Sequence, residues 1–253
     1  MTTFKVTLAY DGTDLIGWQR QASGTSVQGL IEAVLEQLEG RPVTVHGAGR
    51  TDAGVHALGQ VASFALERSI TSTVLRQAMN ANLPRTIRVM NAAAVHPEFH
   101  ARFDARMKTY RYRIWHSKVM NPFERAFALH IIGPLNLDAM SAAARTLEGR
   151  HDFAAFQASG GTVKDTAREM TSCRLIRRDR LVLLEITGTG FLRHMVRAMV
   201  GSLIEIGRGR RDGAWLAGLL ASGDRTQAGP TVPAHGLFLV SVEYGPASLA
   251  NGS

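Results

Sequence analysis

The chain has 253 residues and a formal net charge of +8, from 29 lysines and arginines against 21 acidic residues. Hydrophobic residues make up 45% of it and charged residues 20%, which is typical of globular proteins and excludes a disordered or fibrous chain. The positive balance favours a polyanionic partner, either nucleic acid or an acidic membrane surface.

The cysteine content and the length of the apolar runs exclude further classes of protein. The single cysteine, Cys173, cannot form an internal disulfide, and no Cys/His pattern typical of a zinc site occurs. The opening residues lack the features of a signal peptide, and no apolar run approaches the roughly 18–20 residues that span a bilayer. We therefore expect a soluble, cytoplasmic, basic α/β protein.

In the first half of the chain, alternating hydrophobic residues predict a strand over residues 4–10. Apolar residues spaced by three and four then predict a helix that begins after Thr25-Ser26 and stops at Gly40. A glycine-rich loop follows over residues 47–56, and a second strand over 60–66.

The second half repeats this alternation. Residues 110–115 predict a strand, and a helix is expected from about Leu137. A strand over 181–187 leads through a glycine turn to the clearest helix, whose apolar positions run from Leu192 to Ile204 and whose Arg193 and Arg197 are expected on one side. A last strand lies within 235–245. We predict an α+β fold with a mostly antiparallel sheet.

A four-letter sequence that occurs twice indicates that the two halves of the chain have a similar design. The letters LEGR occur at residues 38–41 and again at 147–150, where both predicted helices end. We predict an N-terminal lobe over 1–104, a C-terminal lobe over 105–245, and a disordered tail over 246–253.

The loop GAGRTDAGVHA, residues 47–57, is the best candidate for chemistry. Its glycines permit close approach of the backbone to a ligand, and it carries the cation Arg50, the carboxylate Asp52 and the imidazole His56. The alternative is a tight turn in which Asp52 caps the backbone and Arg50 is its surface partner. Neither a phosphate-binding loop nor a dinucleotide fingerprint is present.

Several long motifs in order resemble the tRNA pseudouridine synthase A family. They are GAGRTDAGVHALGQV, DGTDLIGWQRQ, TSVQG, NLPRTIRV, FHARFDARMKTYRYRI, TAREM, GFLRHMVRAMVGSLIEIG and PAHGLFLVSVEY. Together they span nearly the whole chain, and such a series is far more specific than one short pattern.

This resemblance implies an isomerase that converts uridine to pseudouridine at positions 38, 39 and 40 of the tRNA anticodon stem-loop. It implies the pseudouridine synthase fold, two similar lobes with flanking helices and a catalytic cleft between them. It also implies a homodimer that binds tRNA, and no cofactor or metal.

Asp52 is the catalytic nucleophile that the resemblance implies. Breaking a glycosidic bond builds positive charge on the sugar, which an ionised carboxylate stabilises or traps. The sequence leaves three roles for Asp52 open: attack on C1′, addition to the base, and removal of a sugar proton to give a glycal. Burial raises the pKa of a carboxyl group, and a nearby arginine offsets that effect. The family's pocket arginine falls on Arg197, whose alternative role is a solvated position on the flank of its helix.

Three further residues are expected to bind substrate. The K-x-Y-x-Y pattern aligns Tyr110 with the family's pocket tyrosine, although alternation alone does not separate it from Tyr112. Arg50 would contact phosphates or support the flipped-out uridine. Leu237 resembles a pocket residue, with core packing as the alternative, and His56 is expected to be structural.

Basic residues elsewhere are candidates for phosphate contacts, and no single one is preferred. They are Arg20, Arg76, Arg85, Arg88, Arg102, Arg106, Lys108, Arg208, Arg210 and Arg211.

Two other functions stay open on the sequence. One is a tRNA-binding protein or chaperone of the same fold without catalysis, against which an intact Asp52 argues. The other is a glycosidase that releases uracil, which would need a second carboxylate near Asp52. Asp11 and Asp14 are the only early candidates for that second group.

Overall fold

The computed structural model describes residues 1–158 and 165–245. The predicted disordered tail, 246–253, lies outside the described residues. The strands are β1 (Thr2–Tyr10), β2 (His46–Gly47), β3 (His56–Leu66), β4 (Ile87–Val95), β5 (Ala105–His116), β6 (Leu129–Ile131), β7 (Gly149–Asp152), β8 (Ala167–Arg178), β9 (Leu181–Gly188) and β10 (Leu237–Tyr244). The α-helices are α1 (Val27–Glu39), α2 (Ser72–Asn82), α3 (Leu137–Arg145), α4 (Met195–Gly207) and α5 (Gly213–Ser222).

The chain divides into two units. The first contains Met1–Met107 and the chain from Phe238 onward, and the second contains Lys108–Leu237. This differs from the division expected from sequence, which gave all of 105–245 to one lobe. The reason is β10, which pairs in parallel with β3 through Phe238 and Leu239.

The first unit is built on β1. This strand pairs antiparallel with β3 on one side and β4 on the other, and β2 pairs antiparallel with β3. Phe4, Val6 and Leu8 face the core, as their alternation predicts, and none is more than 1% exposed. Helices α1 and α2 contribute Ile31, Leu75 and other buried residues to this core.

Local signals in the sequence set the bounds of α1. The side chain of Ser26 accepts a hydrogen bond from the Gly29 N–H at the start of the helix. Gly40 ends it in the left-handed region, with φ of 79°, and donates its N–H to the Glu36 carbonyl. Both predicted ends of this helix are confirmed.

The second unit is also mostly antiparallel. β5 pairs antiparallel with β9, β9 with β8, and β8 with β7, while the short β6 runs parallel to β5. Tyr110, Tyr112 and Ile114 face its core, as predicted. The α+β class with mostly antiparallel pairing and flanking helices is therefore confirmed in both units.

The LEGR echo does not mark equivalent structures. Its first copy ends α1, but α3 ends earlier, at Arg145, and Gly149 of the second copy opens β7 with φ of 98°. Short-range hydrogen bonds from Thr146, Leu147 and Glu148 to preceding carbonyls form a turn instead of helix. The prediction that both helices end in these letters was wrong for the second.

The helix carrying Arg197 begins later than its apolar spacing suggests. α4 starts at Met195, after His194 in a left-handed conformation with φ of 61°. Arg193 therefore precedes the helix, and the prediction that it shares a helical face with Arg197 was wrong. Helices α2 and α5 were not predicted, because α2 buries only Leu75 and Met79 and α5 is apolar around most of its circumference.

Candidate functional site

The loop between β2 and β3 is held by a buried polar network. The Tyr10 hydroxyl lies 2.8 Å from Thr51 Oγ1, and the Gln60 amide donates to the Gly49 carbonyl at 2.8 Å. Tyr10, Thr51 and Gln60 are all less than 8% exposed. Buried polar groups need partners, so this network allows few alternative positions for the loop.

The segment from Asp11 to Trp18 clamps the same loop from a second side. The Trp18 N–H donates to the Thr51 carbonyl at 3.0 Å, and the Gly54 N–H donates to the Leu15 carbonyl at 3.2 Å. The contact is so close that a Cβ added to Gly17 would lie 2.4 Å from the Thr51 carbonyl oxygen. Only glycine leaves room there, and its φ of 104° is also one that glycine adopts readily.

Asp52 occupies the turn of this loop. Its carbonyl accepts a hydrogen bond from the Val55 N–H at 3.1 Å, and the following Gly54 has a φ of 76°. The Asp52 side chain is half-buried, and Arg50, two residues earlier, is exposed. The loop thus presents one carboxylate and one cation on a backbone that two neighbouring segments hold in place.

Asp11 and His56 both make structural contacts. The Asp11 carboxylate accepts hydrogen bonds from the Thr13 N–H at 3.0 Å and the Thr13 hydroxyl at 2.6 Å. Burial acts to raise the pKa of Asp11, but these hydrogen bonds and the nearby His56 outweigh it and lower the pKa. His56 is 1% exposed, accepts from the Gly12 N–H and stacks on Phe238 at 4.6 Å.

In the second unit, β5 carries Tyr110 and Tyr112 on one face. Both are buried, at 7% and 0% exposure. The Tyr110 ring meets Phe191 edge-on at 4.9 Å between centroids, and the Tyr112 hydroxyl donates to the Pro233 carbonyl at 2.8 Å. Burial raises the pKa of Tyr112, with Arg197 acting in the opposite direction.

Arg197 projects from the first turns of α4 and is half-buried. Its Nε donates to the Val232 carbonyl at 2.7 Å, and the Val232 N–H lies 3.4 Å from the Arg197 carbonyl. The same segment receives the Tyr112 hydrogen bond at Pro233. Leu237 follows a few residues later and is 5% exposed.

The predicted residues are divided between the two units. Arg50 and Asp52 lie on one loop of the first unit. Tyr110, Arg197 and Leu237 belong to the second unit, where Tyr112 and Arg197 both bind the 232–233 segment. Sequence reasoning missed the supporting residues Tyr10, Thr51 and Gln60, because isolated polar residues give no periodic signal.

The described residues contain neither a metal-binding cluster nor a membrane-spanning helix. Within 1–158 and 165–245, no group of three or more His, Cys, Asp or Glu side chains is placed to hold a metal ion. Over those same ranges, no helix is long and apolar enough to cross a membrane.

Comparison with known proteins identifies the class. The tRNA pseudouridine synthase family profile matches residues 7–104 and 143–245, which include the loop with Asp52, the helix with Arg197 and the strand of Leu237. The chain therefore belongs to the tRNA pseudouridine synthase family, as its motifs indicated.

Its relatives are similar over their whole length. The chain is 44% identical to tRNA pseudouridine synthase A of Syntrophotalea carbinolica over 252 residues, covering 100% of both chains. It is also 44% identical to tRNA pseudouridine synthase A of Pelobacter propionicus and of Moorella thermoacetica, each match covering 96% of this chain and 100% of the relative.

A solved structure, that of a Cbf5–Nop10–Gar1 complex, shares 12% identity with this chain at a TM-score of 0.34. The match covers 79% of this chain and 45% of that one, and a TM-score of this size does not establish a common fold.

Proposed function

We propose that this chain isomerises uridine to pseudouridine in tRNA, at positions 38, 39 and 40 of the anticodon stem-loop. The observation that carries the proposal is Asp52, a half-buried carboxylate on a loop held by buried hydrogen bonds, in a chain of the tRNA pseudouridine synthase family. The net charge of +8 suits a polyanionic substrate.

The reaction needs one carboxylate at the sugar. The N1–C1′ bond breaks, the uracil turns, and C5 bonds to C1′ before the C5 proton leaves and N1 gains one. In this proposal Asp52 acts as the nucleophile that stabilises or traps the electron-poor sugar. Asp11 is an unsuitable second carboxylate for hydrolysis, because both its contacts with Thr13 hold it as a turn-forming group.

The second unit supplies the remaining proposed roles. In this proposal Arg197 supplies the positive charge that favours an ionised carboxylate at Asp52, because a cation stabilises the charged form of a carboxyl group. Tyr110 either holds the base by stacking or takes the proton from C5, and Leu237 adds apolar surface for the base. The fixed position of the Arg197 guanidinium, bonded through Nε to the Val232 carbonyl, supports this assignment.

Arg50 has a proposed role in binding the RNA. A uridine in or beside a stem must leave the base stack before its glycosidic bond is accessible, which costs roughly a few kcal/mol. An exposed guanidinium two residues from Asp52 is suited to holding the flipped state or a flanking phosphate. We further propose that the chain acts in the cytoplasm as a homodimer, without a cofactor.

The test is tritium release from an anticodon stem-loop labelled with 5-[³H]uridine, comparing wild type with Asp52→Ala and Asp52→Asn. Wild type is expected to release tritium without free uracil, and both variants to release none while still binding tRNA. Asp14→Ala, which removes an exposed carboxylate from the neighbouring segment, is the matched control and is expected to retain activity.

Two outcomes would replace this proposal. Release of free uracil by wild type would make the protein a glycosidase. Tight binding of tRNA without tritium release, under conditions where the protein is folded, would make it a tRNA-binding protein or chaperone.

A further inference from the structure

Three aromatic rings form a stack at the surface of the first unit. The rings of His46 and His100 are 4.6 Å apart between centroids, and those of His100 and Phe103 are 4.3 Å apart. The interplanar angles of 32° and 34° show that each ring is tilted against its neighbour while remaining in contact with it. We call these three residues the ring stack.

A small hydrophobic cluster anchors the loop that carries the ring stack. Phe99 and Ala101 are buried on either side of His100, with Phe99 packed against Tyr244 at 5.1 Å. The Tyr244 hydroxyl donates to the Ala101 carbonyl at 2.7 Å, and the Ala101 N–H donates to Ser63 Oγ on β3 at 3.0 Å. The loop is thus fixed to the sheet beneath it.

Hydrogen bonds within the loop orient His100. The backbone N–H of His100 donates to the Asp104 carboxylate at 2.9 Å, and the ring Nδ1 of His100 accepts from the backbone N–H of Arg102 at 3.1 Å. An Nδ1 that accepts hydrogen bonds leaves the proton of the neutral ring on Nε2. The ring therefore holds one orientation, and the stack built on it is organised before any partner arrives.

Among the described residues of the first unit, none covers the outer end of the ring stack, at Phe103. The Phe103 side chain is 74% exposed, although a phenylalanine of that exposure gains little from folding. The Arg102 guanidinium lies 5.7 Å from the centre of its ring and is also exposed. A flat aromatic surface with an adjacent cation matches a nucleotide, which offers a flat base and a phosphate.

We propose that the ring stack binds an unpaired nucleotide of the tRNA, with the base stacked on Phe103 and its phosphate against Arg102. This rests on the proposed function, because the nucleotide belongs to the same substrate. His46 is the first residue of β2 and lies four residues before Arg50, so at about 3.6 Å per residue the two Cα atoms are within roughly 14 Å. The stack therefore lies close enough to the Asp52 loop to engage the same RNA.

Binding measurements with a matched pair of exposed phenylalanines test the proposal. Phe103→Ala is expected to weaken tRNA binding roughly 5- to 150-fold, the range that corresponds to removing one base–aromatic stack. Phe103→Trp is expected to bind at least as well as wild type. The control is Phe123→Ala, because Phe123 is 84% exposed in the second unit and belongs to no such stack among the described contacts.

The outcomes separate this inference from the proposed function. Wild-type tritium release tests the isomerase alone, and Phe103→Ala is expected to keep the wild-type unfolding midpoint. Unchanged tRNA affinity in Phe103→Ala, in a wild type that releases tritium, would overturn the stacking site. Equal losses of tRNA affinity in Phe103→Ala and Phe123→Ala would also overturn the stacking site.

A photocrosslinking amino acid at position 103 tests the occupant directly. We expect one crosslink to an unpaired nucleotide, mapped by sequencing of the RNA fragment. A crosslink only to base-paired stem nucleotides, or only to a second copy of the protein, would contradict the proposal.

Discussion

The Asp52 loop and the Arg197 region are held in place by different means. The loop has no regular structure between β2 and β3, and a buried side-chain network with a close backbone contact at Gly17 holds it. Arg197 and Tyr110, by contrast, take their positions from a helix and a strand whose apolar faces are buried.

This difference has a consequence for the effect of mutations. A residue on a helix or strand inherits its position from many apolar contacts, each individually small. A residue on a loop depends on a few directional contacts, so the loss of one hydrogen bond or one glycine displaces it more. We therefore expect conservative changes around Asp52 to affect catalysis more than conservative changes around Arg197.

The largest effects are expected at the glycines that permit close backbone contact in each unit. A Cβ on Gly17 would lie 2.4 Å from the Thr51 carbonyl oxygen, and one on Gly201 would lie 1.8 Å from the Pro230 carbonyl oxygen. Gly17→Ala and Gly201→Ala are each expected to reduce the free energy of unfolding by about 3 kcal/mol or more, measured by urea denaturation.

The control for both is Gly218→Ala on α5, where an added Cβ meets nothing within 4 Å. It is expected to increase stability by about 0.5–1 kcal/mol, because alanine favours the helix. A loss in Gly218→Ala similar to that of Gly17→Ala would show that the close contacts are not the cause.

The next effect is a loss of stability at alkaline pH. Burial raises the pKa of Tyr10 to about 12 from its ordinary value of 10.0. Burial, followed by the nearby Glu148, raises the pKa of Cys173 to about 12 from 9.0. The folded protein retains these protons longer than the unfolded chain does, so stability is complete below about pH 9 and falls as the pH approaches 12.

Each group contributes on the order of 2–4 kcal/mol to that loss. Cys173→Ala is expected to flatten the fall from about pH 9 and Tyr10→Phe from about pH 10, both measured as stability against pH. If the stability of a variant falls with rising alkaline pH as steeply as that of wild type, the replaced group has the same pKa in the folded and unfolded states.

A smaller loss of stability is expected when the hydroxyl of either of two buried tyrosines is removed. Tyr10→Phe removes a partner of Thr51, and Tyr112→Phe removes the donor to the Pro233 carbonyl. Each is expected to cost about 1–3 kcal/mol, because a buried acceptor or donor loses its partner. Only Tyr10→Phe is expected to slow single-turnover tritium release strongly, by roughly tenfold or more, since it releases the Asp52 loop.

Equal rate constants for Tyr10→Phe and wild type would contradict the view that this network positions the loop. A larger loss of rate in Tyr112→Phe would reverse the comparison between the two regions.

The smallest effect concerns two aspartates that form similar turns. Asp11 accepts from the backbone and hydroxyl of Thr13, and Asp224 accepts from those of Thr226. The pKa of each is lowered, for Asp224 by the Thr226 side chain and backbone and by Gln227. Their contribution to stability is therefore present above about pH 4 and is lost as the pH falls through the folded pKa.

Asp11→Asn is expected to flatten the acid side of the stability profile slightly more than Asp224→Asn, because Asp11 also lies 3.2 Å from His56 Nδ1. The measurement is thermal unfolding between pH 2 and pH 7. An acid profile flattened more by Asp224→Asn would show that His56 does not matter to Asp11.

Much of the fold was predictable where the signal is local. The strand alternation of Phe4, Val6 and Leu8, and the capping of α1 by Ser26 and Gly40, depend on neighbours within a few residues. The later start of α4 was not predictable, because apolar spacing continues through Leu192 although the backbone at His194 is left-handed. Periodicity reports which residues are buried, not where the helical hydrogen bonds begin.

The sequence by itself determined the family, the α+β class and the candidate residues Asp52, Arg197 and Tyr110, since motifs and periodicity are properties of the chain order. Only the tertiary structure decided that Tyr10 and Gln60 support the Asp52 loop, that β10 pairs with β3, and that His46 stacks on His100. These contacts join residues far apart in the chain. Their partners are chosen by packing and by the need to satisfy buried polar groups, which no local pattern encodes.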